Sequence, residues 1–381
     1  MTTEKSIYLD YNATTPIDKQ VLEAMLPYLQ DKFGNPSSAH YYGREARNAV
    51  ERARAQVASL LECHPEEIFF TSGGTESNNL VLFGVAQALG DKGRHIVTTR
   101  IEHPAIIEPC LELIGRGFDV TFVPVDGRGM VDPDDVRKAL RKDTILISVM
   151  HANNEVGTIQ PISEISQIAR ERGILLHTDA AQSVGKIPTF VNDLGVDFLS
   201  IAGHKLYAPK GIGALYRRHG APLGKFIFGA GQERGVRPGT ENVPFIVGLG
   251  EASVLAKKEL GTEMVRLERL RNKFALRIKE KIPNAIVNGE GAPRLPNTLS
   301  IAFPGKKADE ILRNLGRVAA SAGAACHSHD VKISHVLEAM GVNIEVAMGT
   351  IRFSLGRFTT EQEIEMASEA IVEAVFSTPD K

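Results

Sequence analysis

FTSGGTESNNL, from Phe70 to Leu80, reads as the end of a strand, a glycine turn and the start of a helix. Gly73 and Gly74 let the backbone come close to a ligand, and the free N–H groups of a helix opening near Thr75 favour an anion such as a phosphate. Taken alone, the segment is equally compatible with a tight turn capped by Thr75. It lacks the GK[ST] ending of a nucleoside-triphosphate loop, which disfavours a site of that kind.

The same alternation runs outward in both directions, and it sets the fold class. Short apolar runs at Ile68–Thr71, His95–Thr98, Val120–Val125, Thr144–Met150, Ile174–Thr178 and Phe198–Ile201 read as strands. Between two of them, Pro161 opens a helical stretch whose Ile162, Ile165, Ile168 and Ala169 share one face, and Gly173 closes it. This is the pattern of right-handed βαβ units and a mainly parallel sheet. Near Pro244–Gly250 the pattern changes, and Glu251–Lys281 reads as a long charged amphipathic helix. A second domain is expected from there, with strands at Thr298–Phe303, Val318–Ala320 and Ile351–Leu355 among helices at Asp309–Gly316, Ser334–Met340 and Thr360–Phe376.

Composition bounds the functions. With 381 residues, 43% apolar and 24% charged, the chain can bury a large core without staples. A net charge of −2 gives no global attraction to nucleic acid or to an anionic membrane. No apolar run of membrane-spanning length occurs, and the N-terminus does not read as a secretory signal, so a cytoplasmic protein is expected. Cys63, Cys110 and Cys326 form no CxxC pair or even framework, which points to reactivity or burial rather than to disulfides. His327, His329 and His335 match no zinc spacing, so no metal is expected.

Two further residues give the glycine turn a context. Asp179, in HTDAAQ, follows a predicted strand and falls at the carboxyl edge where open α/β sheets bind ligands, although it could equally be a turn or cap residue. Lys205, in AGHK, follows the next strand on the same edge; a solitary loop lysine is usually just solvated. Phosphate cradle, carboxylate and lysine, in that order, are what pyridoxal phosphate requires. The lysine forms an imine with the aldehyde, and the carboxylate keeps the pyridine nitrogen protonated.

At this point a resemblance covers nearly the whole chain. YLDYNATTP (Tyr8–Pro16), FGNPSS (Phe33–Ser38), FTSGGTESNNL, EH (Glu102–His103), HANNEVG (His151–Gly157), TDAAQ, GHK, RPGTEN (Arg237–Asn242), GAACHS (Gly323–Ser328) and IRFSLGR (Ile351–Arg357) together resemble the cysteine desulfurase and selenocysteine lyase family. The resemblance implies a fold-type-I, aminotransferase-like α/β architecture of pyridoxal-phosphate enzymes. It would have a large cofactor domain over 16–250 with a mixed, mainly parallel seven-stranded sheet. A smaller α/β domain would combine 1–15 with 251–381 and carry the cysteine loop. It also implies a homodimer.

The resemblance assigns roles residue by residue. Lys205 would hold the cofactor, His103 would stack on its ring and shuttle protons, Asp179 would face the ring nitrogen, and Gln182 the ring hydroxyl. Gly74, Thr75 and His204 would contact the phosphate, with Thr240 reaching the other subunit's cofactor. Asn153 would serve cofactor and substrate, while Asn12 and Arg352 would complete the substrate site, Arg352 by bidentate pairing with the carboxylate. Cys326 would be the nucleophile that takes sulfur or selenium from the substrate, on a loop that the small residues of ASAGAA let bend, with His327 and His329 able to lower its pKa. Cys63 and Cys110 fit core positions better.

The expected activity is desulfuration of L-cysteine to L-alanine, with a persulfide on Cys326 passed to an acceptor such as an iron–sulfur scaffold protein. The alternative is release of selenium from L-selenocysteine. It draws on His327–Ser328 after the cysteine, which with GGTESNN, RLPNT (Arg294–Thr298) and GAACHS resembles the animal-type selenocysteine lyases; Ala202 and AGAAC, where bacterial desulfurases of iron–sulfur assembly commonly have serines, imply a slightly different hold on the cofactor. An aminotransferase of the same fold would use Lys205 and Asp179 but leave Cys326 idle, and a cofactor-free binding paralogue would use none of them.

Overall fold

A computed structural model of the chain describes residues 6–327 and 330–379, with the backbone alone described at 324–327 and 330–332. Eight strands occupy the first part: Ile7–Tyr8 (β1), Ile68–Thr71 (β2), His95–Thr99 (β3), Asp119–Val123 (β4), Thr144–Ser148 (β5), Leu175–Asp179 (β6), Phe198–Ala202 (β7) and Gly213–Arg217 (β8). Seven follow: Ile286–Val287 (β9), Thr298–Ala302 (β10), Val318–Ala319 (β11), Ser321–Ala322 (β12), Ala324–His327 (β13), Asp330–Ile333 (β14) and Thr350–Ser354 (β15).

The main sheet has seven strands in the order β2-β8-β7-β6-β5-β3-β4. All of its pairs are parallel except those of β8, which runs antiparallel to both β2 and β7. Strands β2, β3, β5 and β7 are buried along their whole length, so they appear as continuous apolar runs flanked by helices. This is the mixed, mainly parallel seven-stranded sheet that the resemblance implies. The carboxyl ends of β3, β5, β6 and β7 therefore meet on one edge, and the residues just beyond them are brought together there.

The sequence reading missed β8, because GALYR offers a weak strand signal. Its glycine has a steric reason. A Cβ at Gly213 would lie 2.5 Å from the Ile201 carbonyl oxygen and 2.6 Å from Gly73 Cα, so only glycine lets β8 pass beneath the Gly73 turn. The long helix begins at Val243, not Glu251, and runs 39 residues to Lys281. Pro244 fits its first turn, and Asn242 caps it by accepting from the Phe245 amide at 3.3 Å. Gly248 and Gly250 are contact points rather than linkers: added Cβ atoms would meet Met25 Sδ at 2.7 Å and Ala53 Cα at 2.8 Å.

This helix joins two apolar interiors. Its Ile246, Leu249 and Leu255 pack with the helices and strands around the main sheet. Its Leu267, Leu270, Phe274 and Ile278 pack with Leu299, Ile301, Phe353 and Ile364 beneath an antiparallel sheet of order β12-β15-β10-β9. Strand β1 pairs in parallel with β11, so Ile7 and Leu9 join this second core. Cys326 lies on a strand, β13, where the sequence led us to expect a loop. It pairs with Val331 of β14, and the hairpin is closed at its base by the Ser334 amide donating to the Gly323 carbonyl at 3.0 Å. Ser328 and His329 lie outside the described residues.

Candidate active site

A cavity of about 370 Å³ opens at the carboxyl edge of the main sheet. Gly74, Thr75, His103, Asp179, Gln182, His204, Lys205 and Arg352 all line it, although they come from five separate stretches of sequence. Strand ends supply most of them: Asp179 closes β6, Lys205 ends the short turn after β7, and His103 stands four residues beyond β3.

Lys205 is held by backbone rather than by an acidic side chain. Its Nζ donates to the carbonyls of Asn12 at 2.5 Å and Ala13 at 2.7 Å. Burial, reinforced by the Arg352 charge and opposed by Asp10 and Asp179, lowers its pKa to about 8. An ordinary lysine near ~10.4 is almost wholly charged at neutral pH, whereas this one has a sizeable neutral fraction able to attack an aldehyde. Uptake of pyridoxal phosphate by the cofactor-free protein is therefore expected to accelerate from pH ~7 to ~9 with a midpoint near ~8, following the neutral amine. A rate that climbs only toward pH ~10 would show Lys205 to be an unperturbed lysine.

At the other end of the cavity, Asp179 is 7% exposed. Its Oδ1 accepts from the Ala181 amide at 2.9 Å and its Oδ2 from Asn78 Nδ2 at 2.7 Å. Each carboxylate oxygen keeps a lone pair for a further donor. Asn78 was not singled out from sequence, although it sits one helical turn after Gly74 on the same face. Its own Oδ1 is buried with no partner.

The glycine turn behaves as its sequence predicts. Gly73 has φ +153 and caps the helix Gly74–Leu89 without a side-chain hydrogen bond, leaving the first-turn amides of Gly74, Thr75 and Glu76 without intrahelical acceptors. His204 stands beside it, with Nδ1 and the Thr14 hydroxyl 3.2 Å apart. Burial, followed by the charges of Lys205, Lys210 and Lys186, lowers the His204 pKa to about 4. The lysine charges that contribute to this shift, unlike the burial, also favour an anion at the helix start.

His103 caps the helix Pro104–Gly115, its Nδ1 accepting from the Ala105 amide at 3.1 Å. Surrounding protein lowers its pKa, burial being the largest cause. In the neutral ring the proton then sits on Nε2, which is set to donate. Gln182 donates from Nε2 to the Asn12 carbonyl at 3.0 Å while its Oε1 accepts from Lys186 Nζ at 2.9 Å. Burial, with help from Lys205 and Arg352, lowers the Lys186 pKa to about 7.

Arg352, on β15, forms the wall on the side of the antiparallel sheet. It donates from Nη2 to Asp10 Oδ1 at 2.7 Å and Ser321 Oγ at 3.0 Å, and from Nη1 to the Asn154 carbonyl at 3.2 Å. Its Nε is buried with no acceptor. Ser321 pairs with Arg352 across β12 and β15, so the chain leaves this contact only a few residues before Cys326.

One expected substrate contact is corrected. The Asn153 side chain is fully buried and turned away from the cavity, donating to the Ile101 carbonyl at 3.1 Å and accepting from the Glu155 and Val156 amides at 2.8 and 3.0 Å. Its neighbour Asn154 lines the cavity instead. HANNEVG presents two adjacent asparagines, and only the turn geometry separates them. Asn12 lines the cavity, where both Nδ2 hydrogens are taken up by the Asn154 carbonyl and Thr298 Oγ1, while Oδ1 accepts from Asn297 and keeps one lone pair. Its carbonyl is the part that faces Lys205. Thr240 is exposed and does not line the cavity of its own chain.

Cys63 and Cys110 have thiols pushed up to about 12, mainly by burial, which leaves both protonated at neutral pH.

Known proteins are similar to this chain over most of their length. The aminotransferase class-V family profile matches residues 7–366. A cysteine desulfurase IscS of Dictyoglomus turgidum is 50% identical over 370 residues, spanning 97% of this chain and 94% of that protein. The cysteine desulfurase of Mus musculus is 44% identical over 374 residues, spanning 97% of this chain and 82% of the relative. Among solved structures, a NifS-like protein superposes with a TM-score of 0.90 at 41% identity, covering 97% of this chain and 98% of that one. SspA in complex with cysteine gives a TM-score of 0.81 at 39% identity, over 93% of this chain and all 100% of the other.

Proposed function

The chain belongs to the class-V aminotransferase family, and from that premise we propose that it is a pyridoxal-phosphate-dependent cysteine desulfurase that forms its persulfide on Cys326. The observation carrying this reading is Lys205, an amine with a pKa of about 8 in the cavity that also holds Asp179 and the open helix start at Gly74.

The residues fit the cofactor. The unpaired first-turn amides suit its phosphate, the spare lone pairs of Asp179 suit a protonated ring nitrogen, and the partly neutral Lys205 suits its aldehyde. When bound, pyridoxal phosphate supplies an electron-accepting ring that labilises bonds around the substrate's α-carbon. The chain's own groups supply the rest. The Arg352 guanidinium, with its buried free Nε, takes the substrate carboxylate, and Asn154 lies close enough to assist. Lys205, once displaced, can accept the α-proton, and the Nε2 proton of His103 is available for return. The Cys326 thiolate attacks the substrate sulfur, so that an S–S bond forms as the Cβ–S bond breaks. The electron pair of the broken bond stays with the substrate, and protonation completes alanine.

A homodimer belongs to the same reading, with the exposed Thr240 serving the partner's phosphate. So do a protein or small-thiol acceptor for the persulfide and a reducing, cytoplasmic setting. Alanine release measured side by side on L-cysteine and L-selenocysteine tests the substrate. Turnover of cysteine is expected, and release from selenocysteine alone would overturn the sulfur assignment.

A further inference from the structure

Two cavities meet at Arg352 and Asn154. The second, of about 500 Å³, lies between these residues and the root of the Cys326 hairpin, where Gly323, Ser334 and His335 line it. Beside this empty space Ile333 of β14 packs on the cluster that holds Ile101 and Met150, and directional contacts add to what fixes the bearing of the hairpin.

His335 makes one such contact. It is the first residue after the hairpin base and opens the helix His335–Ala339, which Ser334 caps by accepting from the Val336 amide at 3.0 Å. Its Nε2 bonds to the Glu102 carbonyl at 2.9 Å. Glu102 is an immobile anchor: it is fully buried, and its Oε1 accepts from the Thr99 hydroxyl at 2.7 Å and the Met150 amide at 2.9 Å. The next residue is His103. Val336 and Leu337 are buried in one apolar cluster with Ile101 and Met150, which brings the helix to this segment. The hydrogen bond adds a directional contact that packing alone lacks, at the point where the hairpin leaves.

We infer that His335 is a positioning residue that aligns the Cys326 hairpin with the substrate through the carbonyl adjoining His103. The inference rests on the desulfurase reading and adds to it. Sulfur transfer needs the thiolate within about 3.5 Å of its target, and a misplacement of about 1 Å can cost about 100-fold, so a lever pinned at its root has leverage on that step alone. His335 does not line the cofactor cavity, and its charge is the smallest of the influences on His103, so binding and proton removal should depend on it only weakly.

The test uses the cofactor-loaded full-length protein as wild type, His335→Leu and His335→Gln. Leucine keeps the bulk without a donor, and glutamine restores an N–H of similar reach. Each is mixed rapidly with L-cysteine, while the cofactor absorbance change reports substrate binding and mass spectrometry of quenched samples reports the persulfide. The expected result for His335→Leu is an absorbance change within about twofold of wild type and a persulfide rate lower by about tenfold, the scale of one hydrogen bond. His335→Gln should recover most of that rate. An unchanged persulfide rate in His335→Leu overturns the inference, as does an equal loss in both readouts or no recovery with glutamine. If wild type itself forms no persulfide, the desulfurase reading falls and the inference with it.

Discussion

Lys205→Ala should give a folded protein that neither turns yellow with pyridoxal phosphate nor releases alanine from cysteine. The lysine makes only two backbone hydrogen bonds, and the Asn12 carbonyl keeps its second donor, Gln182, after the substitution. The stability loss should stay near ~1 kcal/mol, because one orphaned carbonyl is partly offset by removal of a desolvated cation. Activity should fall by at least ~10⁴-fold, since a proton-transfer group alone is worth up to that much and covalent anchoring is lost too. Thermal melting, absorbance and alanine assays on one preparation check all three. An alanine variant with the colour and turnover of wild type would move the cofactor to another lysine, Lys186 being the first to examine because its pKa is lowered to about 7.

Cys326→Ala should separate colour from turnover. Cys326 is not among the groups expected to hold the cofactor, so absorbance should match wild type, while alanine release from cysteine falls by at least ~10³-fold. An external thiol at millimolar concentration cannot stand in for it, because a well-placed intramolecular nucleophile reaches effective molarities of ~10⁵ M or more. Neither other cysteine can substitute, since both thiols are pushed up to about 12 and Cys110 is completely buried. Full turnover of the variant with a keto-acid acceptor would favour an aminotransferase.

The elements legible in the sequence are those with one dominant local signal. β2, β3, β5, β6 and β7 are short apolar runs between turn residues, and their predicted bounds fall close to those observed. Asp179 and Lys205 could be placed on the ligand-binding edge because each follows such a run. Where spatial neighbours decide, local pattern misleads. Gly213, Gly248 and Gly250 read as strand and helix breakers but mark close approaches inside regular elements. Asn153 and Asn154 are equivalent by type and adjacent in order, and a turn that buries the first against Ile101 determines which one lines the cavity. Asn78, Lys186 and His335 act through groups 101, 4 and 233 residues away, respectively, and only the lysine lies within reach of helical periodicity.

The central claim is that sulfur leaves cysteine by way of Cys326. Incubation of the cofactor-loaded protein with L-cysteine, alkylation, digestion and mass spectrometry should find one added sulfur atom on the peptide containing Cys326, and none on those containing Cys63 or Cys110. Alanine produced at full rate with no sulfur gained at Cys326, at early times and without added thiol, would contradict the account.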